Sequence, residues 1–323
     1  MNLLKRLDYY EIRKVYSYRQ GKTVNRLIVS LPGSGCKYYK NGGGCSMCGF
    51  HLETNKYSLG ILYPAIVFKK LFDNALKAGL SLGASEVYVF NGGSFLNDKE
   101  IPASFQLYLF TRLSKIESVK ALLIESRCEY ISEDKLKRIK PLIINYDLVI
   151  AIGLESQNDY IRNKIIRKGL SKNVFEKTVK RINSFGFVSA AYVFLKPIGI
   201  TEKEALLETI KSINYSISAG CRDVILSSAF VQKGTIMERE YLSKRFRPPY
   251  LWTIVEIIKK SIYYSWPLSV GEFNDKPSPL AIPKNCDQCS CDIYRIIDKY
   301  RETAILDKIS RCSCYASYIN AIY

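Results

Sequence analysis

Apolar and polar positions fall into blocks of two lengths along most of the chain. Short runs of β-branched and apolar residues bounded by Gly, Pro, Asn or Ser indicate buried strands, and longer segments with apolar residues three and four apart indicate helices. Predicted strands cover 26–31, 86–90, 121–124, 147–152, 189–195 and 223–226. Predicted helices cover 2–22, 61–80, 103–116, a segment that begins at the N-cap Ser132, 172–185 and 201–218.

Strands that alternate with helices are typical of an α/β fold, because helices cover both faces of a parallel sheet. Six βα units are too few for a closed eight-stranded barrel. We therefore expect a partial (β/α)6 barrel, with a doubly wound sheet as the alternative. The expected domains are an N-terminal helical segment over 1–24, the barrel over 25–230, and a helical, cysteine-rich C-terminal extension over 231–323.

Polar or glycine-rich residues follow every predicted strand, and in parallel α/β folds the site lies at these strand ends. Ordinary loop composition explains each of these elements taken alone. A glutamate that closes an apolar strand requires a partner or solvent, because a buried unpaired charge is costly. The strand-end elements are the cysteine loop 35–50, Asn91-Gly92-Gly93, Glu125 to Arg127, Gly153 to Glu155, Lys196 and Ser227.

The loop after the first predicted strand carries Cys36, Cys45 and Cys48. Thiolates are soft ligands for zinc, copper(I) or iron–sulfur clusters. A structural zinc and an ordinary 4Fe–4S cluster each take four ligands, so three thiolates leave one iron of a cluster open. The loop therefore predicts a 4Fe–4S cluster that binds S-adenosylmethionine (SAM), with Met47 and Phe50 in apolar contact with the cofactor. The alternative is a zinc site completed by Cys128 or Cys221.

The residue counts narrow the chemistry further. Among 323 residues there are ten cysteines but one histidine, His51, which nearly excludes histidine-based triads and histidine-rich metal sites. Lys and Arg number 48 against 30 acidic residues, and a net charge of +18 suits either a polyanionic partner or a solvated lysine-rich surface. The sequence shows neither a signal-peptide pattern nor a membrane-length apolar run, so a cytoplasmic protein without membrane contact is expected.

A second cysteine group lies near the C-terminus, where two paired cysteines stand about twenty residues apart. Such knuckles are a strong signal for a tetrahedral zinc site, and a second iron–sulfur cluster is the alternative. The expected ligands are Cys286, Cys289, Cys312 and Cys314, with Cys291 as a substitute.

Two stretches of the sequence are rich in basic residues, and we expect different structural roles for them. The segment from Arg162 to Arg181 holds eight basic residues and is able to track phosphates, or it is a solvated helix face. The stretch from Arg245 to Trp252 leads into apolar residues that we expect to form a buried helix face: Trp252, Ile254, Val255 and Ile258.

Taken together, the motifs resemble the radical SAM superfamily, and within it the Elongator-like branch and the radical subunits of archaeosine synthases. The cysteine spacing matches this branch, whereas Lys284-Asn285 stands where a histidine is usual and Cys128 where a proline is usual. The motifs that carry the resemblance are Gly35-Cys36, Gly43 to Gly49, Asn91 to Phe95, Glu125-Ser126-Arg127, Gly153 to Ser156, Phe194 to Pro197, Val231 to Thr235, Arg247 to Trp252 and the late cysteines.

The resemblance implies a tRNA-modifying reaction of the C–N lyase type. After a partner subunit has transferred lysine to a 7-cyano-7-deazaguanine base, the radical subunit cleaves the lysine C–N bond and leaves archaeosine. SAM is then held by Asn91, Gly92, Gly93, Glu125, Arg127 and Glu155, and the substrate by Lys196, Gln232 and Lys233. The implied partners are tRNA, the lysine-transferring subunit and an electron donor. The alternatives are another Elongator-like RNA-modifying enzyme and a zinc-binding RNA-binding protein without catalysis.

Overall fold

The computed structural model describes residues 9–50, 61–273 and 278–323. The strands are β1 Tyr10–Ser17, β2 Lys22–Ser30, β3 Ala84–Phe90, β4 Ala121–Glu125, β5 Asp147–Glu155, β6 Val188–Leu195, β7 Asp223–Ser228 and β8 Leu268–Val270. The helices are α1 Lys37–Lys40, α2 Ala65–Ser81, α3 Ala103–Leu113, α4 Glu133–Ile139, α5 Lys172–Ser184, α6 Glu202–Ser218, α7 Ile236–Leu242, α8 Leu251–Tyr263, α9 Ser290–Thr303 and α10 Tyr315–Ile322.

The chain divides into two compact units. The first unit comprises residues 1–41, 50–151 and 181–188, and the second comprises 42–49, 152–180 and 189–323. The division between the units falls within the cysteine loop and within strand β5. Among the described residues, no helix has the length and apolar character needed to cross a membrane.

The N-terminal part of the first unit is a β-hairpin, so the helix predicted over 2–22 is wrong where the structure describes it. β1 pairs antiparallel with β2, with Tyr10 opposite Val29 and Ser17 opposite Lys22. Aromatic and β-branched residues of β1 suit a pleated strand, and Gly21 closes the turn at φ +63°. Residues 2–8 of that prediction lie outside the described part of the chain.

Parallel strands form the rest of the sheet in the first unit. β2, β3, β4 and the first half of β5 pair in that order. Helix α2 lies so close to β2 that a Cβ on Gly79 would be 2.9 Å from Leu27 Cδ2. The core of this unit includes an aromatic cluster formed by Phe68, Phe72, Phe95, Phe105 and Phe110.

The second unit contains parallel strands β6, β7 and β8 in that order. Its core confirms the predicted buried face of α8, since Trp252, Ile254, Val255 and Ile258 are at most 2% exposed. Helices α9 and α10 add Ile293, Ile297, Tyr300 and Tyr318 to the same core. Strand β8 was not predicted, because its three residues are too few to give a pattern.

The remaining predicted strands and helices are present, with bounds that shift by a few residues. Ser132 caps α4 as predicted, since its hydroxyl accepts a hydrogen bond from the Lys135 amide. Thr201 begins α6 with a reciprocal capping box to Glu204. The α/β class is therefore confirmed.

Candidate functional site

In the first unit, the cysteine loop that leaves β2 lies against the loop that follows β3. A Cβ on Gly93 would lie 3.4 Å from Cys36 Cα, and a Cβ on Gly33 would lie 2.6 Å from the carbonyl oxygen of Asn91. Gly92 has a left-handed φ of +62°. Side chains at 33 and 93 would therefore separate the two loops, which gives both glycines a packing role.

Glu100 joins the same two loops through a fully buried carboxylate. It accepts hydrogen bonds from the amides of Lys37 at 3.0 Å and Ser94 at 2.5 Å, and from Asn97 Nδ2 at 2.8 Å. Burial raises the pKa of the Glu100 carboxyl, and these donors together with Arg127 oppose the rise. Sequence reasoning missed this residue.

Asn91 directly follows β3 and carries a buried side-chain amide. The residue is 3% exposed, and neither Oδ1 nor Nδ2 has a hydrogen-bond partner among the described residues. Leaving a buried amide unpaired costs about 1–3 kcal/mol per group, so such a group calls for an explanation. A bound polar ligand at this strand end would supply the missing partners.

Arg127 lies beside the cysteine loop of the first unit. Its guanidinium stands 3.9 Å from the centre of the Tyr38 ring and forms a salt bridge of 2.5 Å with Glu129. Its amide donates to Ser94 Oγ at 3.2 Å, which ties the ends of β3 and β4 together. Glu125 closes β4 as predicted and is half-buried. Phe50 is 40% exposed, and His51 lies outside the described residues.

In the second unit, hydrogen bonds from backbone groups of Ser46 and Gly49 hold the cysteine loop. The Ser46 amide donates to the Ile166 carbonyl at 2.8 Å, and its own carbonyl accepts from the Met237 amide at 3.2 Å. The Gly49 amide donates to Gln232 Oε1 at 2.8 Å. Cys45 and Met47 pack against an apolar cluster formed by Ile166, Phe194, Ala229, Val231, Met237 and Phe246.

Glu155 closes β5 in a strained conformation and has a partner that the sequence did not reveal. Its φ is +67°, and its carboxylate lies 2.7 Å from Lys168 Nζ. A Cβ on Gly153 would lie 2.0 Å from that same Nζ. The ion pair with Lys168 therefore compensates the buried charge of Glu155 at this strand end.

Lys196, directly after β6, is another charged residue with a left-handed backbone. Its φ is +65°, and its buried Nζ lies 2.8 Å from Glu202 Oε2. Glu202 also accepts hydrogen bonds from the Tyr250 amide and the Thr253 hydroxyl. Lys233, by contrast, is exposed.

Arg162 does not belong to a phosphate-binding surface, which corrects one part of the predicted basic patch. The side chain is fully buried and donates to the carbonyls of Leu170 at 2.7 Å and Ser156 at 2.9 Å. It also pairs with Asp159. Lys177 and Lys180 of α5 are exposed and stay available to solvent.

The four predicted late ligands come together, with Sγ atoms that all lie within 4.8 Å of one another. Cys286 is 3.5 Å from Cys289 and 3.6 Å from Cys312, and Cys289 is 3.5 Å from Cys314. Cys291 is exposed and stands outside the group. The arrangement is able to hold a metal ion.

The environment of these thiols differs across the group. The Cys289 backbone N–H and the neighbouring thiols lower the pKa of Cys286 to about 6, against the effect of burial. Burial raises the pKa of Cys314 to about 12. Asn285 Nδ2 donates to Cys289 Sγ at 3.8 Å, next to the position where a histidine is usual.

Comparisons with known proteins place these features in a family context. No family model matches the chain. An uncharacterized protein of Methanocaldococcus jannaschii is 34% identical over 243 residues, which cover 75% of this chain and 66% of that protein. Archaeosine synthase subunit beta of Methanosarcina acetivorans is 27% identical over 301 residues, covering 91% and 83%. The subunit of the same name from Thermococcus kodakarensis is 29% identical over 243 residues, covering 74% and 72%.

Solved structures share the fold at low identity. An N-terminally truncated Elp3 of Methanocaldococcus infernus is 16% identical with a TM-score of 0.53, covering 73% of this chain and 61% of its own. A radical SAM methyltransferase from Sphaerobacter thermophilus is 14% identical with a TM-score of 0.51, covering 85% and 81%. These likenesses confirm the predicted partial-barrel fold class. The chain is therefore similar in sequence to two archaeosine synthase beta subunits and similar in fold to radical SAM enzymes and to Elp3.

Proposed function

We propose that this protein is a radical SAM enzyme that modifies tRNA and forms archaeosine. The structural observation that carries the cofactor part is the buried amide of Asn91 directly after β3, which has no hydrogen-bond partner within residues 9–50, 61–273 and 278–323. The substrate part is supported by two relatives named archaeosine synthase subunit beta, of which the chain covers 83% and 72%.

The cluster ligands in this proposal are Cys36, Cys45 and Cys48. All three are half-buried, and the donor set is the soft thiolate set that iron–sulfur clusters require. When bound, the cluster and SAM supply a 5′-deoxyadenosyl radical through one-electron cleavage of the sulfonium. The chain itself holds the loop in place through the amides of Lys37, Ser46 and Gly49.

The SAM contacts in this proposal follow the strand ends. Asn91 offers both a donor and an acceptor, and the lack of a side chain at Gly93 lets the loop that carries Asn91 pack against Cys36. Arg127 and Glu125 bring charges of both signs to the end of β4, which suits the amino-acid part of SAM. Glu155, Met47 and Phe50 complete the proposed set.

The substrate in this proposal is tRNA that carries a lysine-adducted 7-deazaguanine base. The net change is cleavage of the lysine C–N bond, which leaves the nitrogen on the base as the formamidine group of archaeosine and releases the lysine-derived part. Lysine transfer belongs to a partner subunit, and an electron donor reduces the cluster. Among the proposed substrate contacts, Lys233 is exposed, whereas Lys196 and Gln232 Oε1 are engaged within the protein.

The late cysteines fit a single zinc ion in this proposal. Tetrahedral Zn–S bonds of about 2.3 Å place sulfurs about 3.8 Å apart. The three shortest Sγ separations of 3.5 to 3.6 Å are close to that value. A cube of four irons and four sulfides holds its thiolates further apart, so the spacing favours a single ion over a second cluster.

A substrate assay tests the proposal. The anaerobically reconstituted protein is reduced and incubated with SAM and lysine-adducted tRNA, and nucleosides are analysed by mass spectrometry. The expected products are archaeosine and 5′-deoxyadenosine. The matched control pair is Cys48→Ala, which should abolish both products, and Cys291→Ser, which should retain them.

Two outcomes would contradict the proposal in different ways. Formation of 5′-deoxyadenosine with a different modified RNA, but not with the lysine adduct, would leave a radical enzyme with another substrate. Zinc in both cysteine groups with no iron after anaerobic purification would instead indicate an RNA-binding protein without catalysis.

A further inference from the structure

We propose that Glu100 is a positioning residue that fixes the first cluster ligand, Cys36, against the glycine loop 91–94. The inference rests on the proposed cluster at Cys36, Cys45 and Cys48. Glu100 belongs to none of the sequence motifs and lies between the glycine loop 91–94 and helix α3.

The two oxygens of Glu100 serve two different segments. Oε2 accepts from the Ser94 amide, in the glycine loop. Oε1 accepts from the Lys37 amide, directly after Cys36, and from Asn97 Nδ2. One side chain therefore sets the distance between the residue that follows a cluster ligand and the loop that carries Asn91.

The surroundings leave this carboxylate little freedom. Glu100 is 0% exposed, and a Cβ on Gly93 would lie 2.0 Å from Oε2. Ser34 adds a second tie between the same segments, because its hydroxyl donates to the Lys99 carbonyl at 2.9 Å. The cysteine loop is thus held by residues 94 to 100 on the side of the first unit.

The hydrogen-bonding pattern requires a carboxylate rather than an amide. A carboxylate accepts on both oxygens, whereas glutamine has one acceptor and one NH2 group. In Glu100→Gln, an NH2 group would face either the Ser94 amide or the Lys37 amide. A donor facing a donor would push one of the two segments away.

The test compares Glu100→Gln with Glu86→Gln. Glu86 is also a buried carboxylate, 2% exposed, but it pairs with Arg26 at 2.7 Å near the start of β3, away from the cysteine loop. Both variants should lose stability. Only Glu100→Gln should bind iron about 10-fold more weakly under limiting iron, as loss of an outer-shell partner does at metal sites.

The second readout is spectroscopic. Electron paramagnetic resonance of the reduced wild-type cluster should shift when SAM is added, because SAM binds the open iron. In Glu100→Gln this shift should be reduced or lost, whereas Glu86→Gln should retain it. Glu100→Asp keeps the charge but shortens the reach, so it should resemble Glu100→Gln rather than the wild type.

Three results would overturn the inference. Wild-type iron affinity and a wild-type SAM-induced shift in Glu100→Gln would show that the carboxylate does not position the ligand. Equal loss in Glu86→Gln would reduce its role to general stability. Absence of iron in the wild-type protein would overturn the proposed function together with this inference.

Discussion

Gln232 Oε1 accepts a hydrogen bond of 2.8 Å from the amide of Gly49, although 183 positions separate the two residues. A Cβ on Gly49 would lie 2.4 Å from that oxygen. Gly49 directly follows Cys48, so the contact fixes one end of the cysteine loop within the second unit. The predicted substrate contact therefore falls on a residue whose Oε1 already accepts a hydrogen bond within the protein.

Gly49→Ala is expected to displace Gln232 and weaken cluster binding. Gln232→Ala should also weaken it, because the Gly49 amide loses its acceptor. In the Gln232→Ala background, Gly49→Ala should cost less, with a coupling on the order of 1 kcal/mol in unfolding free energy. Urea unfolding and iron content of the two single variants and the double variant measure this coupling. Additive effects would contradict the direct contact.

Asn91→Ala is expected to separate stability from SAM binding. The substitution removes a buried amide that has no partner among the described residues, so the unfolding free energy should stay constant or rise. SAM affinity should fall, by roughly 10-fold or more if one hydrogen bond to a charged ligand group is lost. Thermal unfolding and equilibrium dialysis of the reconstituted protein check the two halves. Unchanged SAM affinity would remove Asn91 from the proposed site.

Lys196→Met is expected to destabilise the second unit. The change leaves Glu202 buried with its charge uncompensated, and breaking a buried pair in this way costs about 3–5 kcal/mol. Lys196→Met with Glu202→Gln should recover part of the loss. Urea unfolding measures both variants. If Lys196→Met keeps full stability but loses turnover, the residue acts on substrate rather than in the ion pair.

Cys312→Ser is expected to remove one metal ion per chain and to lower the melting temperature, because a metal held by the four cysteines would join residues 286–289 to 312–314. Cys291→Ser is the matched control, since Cys291 is exposed and lies outside the group. Elemental analysis should find zinc in the wild type and in the control. Loss of metal in Cys291→Ser would contradict the assigned ligand set.

Lys177→Gln with Lys180→Gln is expected to weaken tRNA binding without changing stability, because both lysines are exposed on α5. Each lost phosphate contact should reduce the slope of log affinity against log salt by about 1. Arg162→Lys should lower stability and leave the salt dependence of tRNA binding unchanged, since the buried guanidinium donates to backbone carbonyls and does not face RNA. Binding titrations at several salt concentrations distinguish the two cases.

The sequence predicts the elements whose patterns are local. The parallel strands are continuous apolar runs, and Ser132 caps a helix through residues next to it in sequence. Residues 10–17 were misassigned because pairing with β2, a tertiary effect, decides their conformation. The helical spacing of a few apolar residues in that segment stabilises a helix less than pairing with β2 stabilises a strand.

In the candidate site, too, residues with a local sequence pattern could be predicted and residues without one could not. Cysteine spacing predicts the four late cysteines that come together, because ligand geometry limits the spacing along the chain, but it left Cys291 open as a substitute. Glu100, Lys168 and Glu202 could not be identified, since their partners come from distant or irregular segments. The eight basic residues from Arg162 to Arg181 likewise look equivalent in sequence, yet Arg162 is buried.

Glu155 and Lys196 both adopt left-handed backbone conformations at strand ends, where glycine would relax the backbone. Each such conformation costs a non-glycine residue about 1–2 kcal/mol, and each residue is also engaged in an ion pair. A charged side chain at each of these two positions is therefore accompanied by backbone strain. Replacing both residues by glycine would relieve the backbone strain at these two strand ends, but it would also remove the ion pairs with Lys168 and Glu202.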